Sequence, residues 1–208
     1  MTSDDFQPQL PENALPTWSF SDTIATVIGS GPSACGVDWN DYPRPLVAMS
    51  SGIRCCPRPD YWFLVDPPVY QQGPSLRWRL YGDEGDNAIR DKDVLKVRPI
   101  WMELVEPYWV PDISTIYEHD LEMIGNTMPW AVRSLVKWGV KEIHFVGCDM
   151  TTTYPHMTLI NGEDRVLRKR EEAVLSIAAI DEDVTFVNRS DPNGMLKHLG
   201  LLRQQPSV

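Results

Sequence analysis

The chain has 208 residues, 42% hydrophobic and 23% charged, which is ordinary globular usage and enough for one self-sufficient core. Its formal charge of -10 and pI of about 4.8 exclude wrapping around extended nucleic acid, since that mode of binding neutralises many phosphates with Lys and Arg. No run reaches the roughly 20 apolar residues needed to cross a bilayer, so a soluble protein without a membrane partner is expected.

The four cysteines, Cys35, Cys55, Cys56 and Cys148, form no CxxC pairs and follow no signal peptide. Reduced thiols and a cytoplasmic location are the expectation. Closely spaced ligand pairs are missing, so no structural zinc is expected either.

Residues 1 to 20 carry Pro11, Pro16 and no usable periodicity, and read as an N-terminal extension ahead of one domain over 21 to 208. Thr23 to Ile28 is a β-branched, apolar run closed by Gly29, the pattern of a buried strand ending in a turn. Leu46 to Ser50 and Tyr61 to Val65 are further strands, the latter closed by Asp66-Pro67-Pro68. Continuous apolar runs of this kind fit a mostly parallel sheet covered by helices on both faces.

Residues 69 to 93 read as a long, irregular connection that either serves a function or hides short elements of its own, followed by strands at 94 to 101 and, more weakly, 112 to 117. A helix begins near Thr127 with Pro129 in its first turn, repeats Ala131, Leu135 and Trp138 along one face, and stops at Gly139. Glu142 to Val146 is the next strand, completing the returning half of a right-handed crossover. A second helix over 165 to 180 opens on Arg165, Arg168, Lys169 and Arg170; a last strand covers 183 to 188, and a short helix covers 195 to 202.

A strand running into Gly29-Ser30-Gly31-Pro32-Ser33 supplies two residues able to take positive φ and to bring backbone N–H groups close to a ligand, followed by a hydroxyl. Pro32 suits the first turn of a helix whose open N-terminal amides would face an anion such as phosphate. The spacing departs from both GxGxxG and the ATP-binding P-loop, and a tight turn needing Gly for backbone shape alone reads equally well.

Thr26 to Ser33, Pro59 to Pro67, and the block from Gly125-Asn126-Thr127 to Gly147-Cys148-Asp149-Met150 together resemble a superfamily of Rossmann-like transferases. That superfamily includes bacterial CMP-sialic-acid-dependent sialyltransferases and archaeal-type hydroxymethylpterin pyrophosphokinases, with phage-encoded relatives. Phe186 to Ser190 followed by Gly194-Met195-Leu196 resembles their closing strand and turn, so the likeness covers roughly residues 23 to 200.

The resemblance implies a single Rossmann-like α/β domain and a transferase using a nucleotide-activated donor, most simply a CMP-linked sugar, with a small-molecule acceptor. Gly29, Ser30, Gly31, Ser33, Gly125 and Asn126 would then be donor contacts. Asn126 also reads as a helix cap. Asp66 and Asp149 each follow a strand and so sit at the carboxyl edge of the sheet, where open α/β folds place ligands. Asp149, a catalytic candidate, would hold a ribose hydroxyl of the donor; in the pyrophosphokinase alternative it and Asp66 would position Mg²⁺.

Glycosyl transfer needs a base for the acceptor hydroxyl, and histidine has a suitable pKa. His156, in the loop after Asp149, is the candidate, while His144 alternates inside a strand and reads as structural. Arg165, Arg168, Lys169 and Arg170 read as a charged helix face in water or as the source of one inward cation for a diphosphate, and Arg54 and Arg58, ahead of the third strand, are alternative anion contacts. A third reading is an interaction protein, viral or cellular, that keeps the fold without the chemistry. A homo-oligomer is compatible with all three, and a phage-encoded protein would work in the host cytoplasm.

Overall fold

The computed structural model describes residues 23–64, 82–85, 87–88, 91, 93–99, 115–118, 127–149, 173, 175–177, 179–180 and 183–190. Seven strands are present among them: β1 (Ile24–Ile28), β2 (Leu46–Met49), β3 (Tyr61–Phe63), β4 (Leu95–Pro99), β5 (Thr115–Glu118), β6 (Glu142–Val146) and β7 (Thr185–Asn188). They form one sheet in the order β5-β4-β3-β2-β1-β6-β7, and every neighbouring pair is parallel. This is a Rossmann-like α/β domain, as the apolar strand runs imply.

The sheet is buried on both faces, which is why its strands read as unbroken apolar runs. On one face Ala25, Val27, Val47, Tyr61, Phe63, Ile143, Phe145 and Phe186 pack with Trp130, Ala131 and Leu135 of the central helix (Thr127–Lys137). Phe63 meets Trp130 edge-on, with ring centroids 5.0 Å apart. The alternate residues serve the other face: Ala48, Trp62 and Leu64 with Ile53, Ala88 and Val94, and Ile28 and Leu46 with Cys56, Trp39 and Tyr42.

The central helix ends as its sequence implies. Gly139 takes φ +96, while Val140 N–H donates to Leu135 O at 3.0 Å and Gly139 N–H to Val136 O at 2.9 Å. Those two bonds satisfy carbonyls that the helix end would otherwise leave open. The chain then enters β6 beside β1, crossing the sheet from its far edge at β5.

The expected helix after Pro32 is corrected to a single 3-10 turn, Pro32–Ala34, and two more such turns follow at Trp39–Asp41 and Ser50–Arg54. Ala34 N–H and Cys35 N–H close that first turn on Gly31 O and Pro32 O. Residues 173 and 175–177 are helical, within the second helix expected over 165 to 180. The N-terminal extension and the terminal helix expected at 195 to 202 lie outside the described residues.

Candidate functional site

Strand order marks the candidate site. From β1 the chain adds β2 to β5 on one side, then returns to add β6 and β7 on the other, so the connections leaving β1 and β6 diverge at their carboxyl ends. Open α/β sheets form their ligand crevice at such a reversal. Gly29 to Ser33 leaves β1 there, and Gly147 to Asp149 leaves β6 there.

The two loops are bonded to each other. Gly29 N–H donates to Val146 O at 2.8 Å and Gly31 N–H to Gly147 O at 2.7 Å. Ser33 N–H donates to Asp149 Oδ2 at 2.9 Å, and Ser33 Oγ in turn accepts from Gly147 N–H at 3.0 Å. The anion at the Pro32–Ala34 turn is therefore the chain's own carboxylate, 2% exposed. The expectation of open amides in this turn is corrected: among the described residues of the loop, Ser30 alone keeps a backbone N–H without a partner.

This packing explains the glycines. A Cβ on Gly29 would stand 2.3 Å from Gly147 O, and one on Gly31 would stand 2.3 Å from Asp149 Oδ2. Neither takes the positive φ expected from the sequence; both positions need glycine instead for the close approach of the loops from β1 and β6, whatever lies above them. Gly147 itself takes φ +68, which reverses the chain at the end of β6.

Other groups reach the same edge. Gly52 passes over the end of β1, where a Cβ would be 2.4 Å from Ile28 O. Ser50, at the end of β2, has φ 45 although it is not a glycine, and its Oγ lies 2.8 Å from Thr127 Oγ1. That contact brings the start of the central helix to the edge. Ser190, after β7, accepts from Cys148 N–H at 2.9 Å and donates to Phe145 O at 3.1 Å, fixing the turn that carries Asp149.

Of the residues expected from sequence, Gly29, Ser30, Gly31, Ser33 and Asp149 come together at this sheet edge. Asp66, Gly125, Asn126 and His156 lie outside the described residues, as do Arg165, Arg168, Lys169 and Arg170. Arg54 lies 3.9 Å from Glu84, and Arg58 lies 4.0 Å from Asp91. His144 sits inside β6, buried, with Nε2 2.6 Å from Glu142 Oε1. Cys148 is buried too; burial pushes its thiol well above the ordinary thiol range and keeps it an inert SH group.

Ser50 and Ser190 escape a sequence reading. A strand followed by serines carries no sign that one of them has positive φ, and Ser190 acts on loops more than 40 positions away. Asp149 was recognisable by its place after a strand, but its bond to Ser33 was not.

Among the described residues no cluster of three or more His, Cys, Asp or Glu is arranged to hold a metal ion, and no helix is long and apolar enough to cross a membrane. No family model, curated protein or solved structure matches the chain.

Proposed function

We propose that the chain is a transferase holding a nucleotide-activated donor, a CMP-linked sugar or a relative, over the carboxyl edge at the β1/β6 reversal. The observation that carries this reading is the reversal itself, with the glycine loop on one side and the buried Asp149 on the other. Ser30 N–H is the backbone donor of that loop available to a phosphate oxygen, and the rigid pairing around it would hold the donor group in place before a ligand arrives.

In the transfer step an acceptor hydroxyl oxygen bonds to the anomeric carbon while the bond from that carbon to the nucleotide phosphate breaks. The electron pair leaves with CMP. His156, which follows Asp149 by seven positions in the chain, takes the hydroxyl proton.

A second reading is favoured by one specific observation: the amides of Gly29, Gly31 and Ser33 are already taken by the protein. Such a closed loop suits an interaction protein that keeps the fold without catalysis.

A thermal-shift panel of CMP, UDP, GDP, ADP and ATP, each with and without Mg²⁺, separates these readings, because a ligand specific to the native state raises the melting temperature. A metal-independent shift with CMP is expected. A shift with ATP only in Mg²⁺ points instead to pyrophosphoryl transfer, and no shift with any nucleotide points to the interaction protein. In a CMP-binding protein, His156→Ala is expected to abolish turnover and spare the shift.

A further inference from the structure

We draw no further inference here: the strongest candidate, the left-handed Ser50 at the end of β2 with its hydroxyl 2.8 Å from that of Thr127 at the start of the central helix, belongs to the sheet edge already described as the candidate site.

Discussion

Ser33 N–H donates to Asp149 Oδ2 at 2.9 Å across 116 positions of sequence, and this bond joins the loop leaving β1 to the loop leaving β6. Hydrogen bonds to charged groups contribute more than neutral ones, and their loss leaves a donor stranded. Asp149→Ala is therefore expected to lower unfolding free energy by about 1.5–3 kcal/mol, with Asp149→Asn, which retains an oxygen acceptor, costing less. Urea denaturation checks the order; equal stability of all three proteins would contradict it.

The glycines at the edge make a second prediction by contrast. Gly29→Ala puts a Cβ 2.3 Å from backbone oxygen, which only a backbone shift relieves, for a cost on the order of 1–3 kcal/mol or more. Gly36→Ala meets open space and only has to adopt a left-handed backbone, for about 1–2 kcal/mol. Gly31→Ala collides first with the Asp149 carboxylate, so combining it with Asp149→Ala is expected to cost less than the sum of the two. Denaturant midpoints of the single and double variants measure this; simple additivity would count against the geometry.

Ser134 offers a prediction of opposite sign. It lies buried in the central helix, and its Oγ has no hydrogen-bond partner among the described residues. Ser134→Ala removes that stranded hydroxyl and introduces a better helix former, so stability is expected to rise by roughly 0.5–1 kcal/mol. Thermal melts of the variant decide it, and a lower melting temperature would mean that the hydroxyl is satisfied in solution.

Lys96 should give the protein a distinctive pH response. It is fully buried on β4, its Nζ donates to Asp91 O, and burial pulls its amine down from 10.5 to about 8, with Arg98 adding to the fall and Asp91 opposing it. Between those values the folded chain has released the proton and the unfolded chain still holds it. Stability from this group therefore rises with pH, by at most about 1.4 kcal/mol per pH unit.

Cys55 and Cys56 act in the other direction above their ordinary value of 9.0, since burial raises them to about 11 and about 12 and the unfolded chain loses those protons first. The Lys96 contribution is cleanest between pH 8 and 9. Urea titrations of wild type and Lys96→Met across that window are expected to show a rise in wild type that the variant lacks. Parallel curves would contradict the assignment.

Much of the fold was legible because it rests on local patterning. β6 spans Glu142–Val146 as the alternation implies, and the helix from Thr127 stops where Gly139 supplies positive φ. β1, β2 and β3 begin within one residue of expectation, since turns rich in Gly, Pro and Asp bound them.

The strand order was less legible, because it depends on which parallel runs meet after long crossovers. The turn at Pro32 was misjudged for a related reason. A proline predicts the start of a helix, but not that Asp149, far along the chain, occupies its amide end. The candidate site was thus visible as a set of positions at one sheet edge, while the bonds closing that edge belong to tertiary structure.

Calorimetric titration of CMP into wild type and Ser30→Glu tests most directly the proposed binding of a nucleotide at the β1/β6 edge through the loop around Ser30. Ser30 is partly exposed at the sheet edge, so the variant is expected to keep the fold while placing a negative charge where the phosphate would lie. Saturable binding to wild type that Ser30→Glu abolishes, with unchanged melting temperature of the free proteins, is the predicted result. Absence of binding to wild type, or equal binding to both, would contradict it.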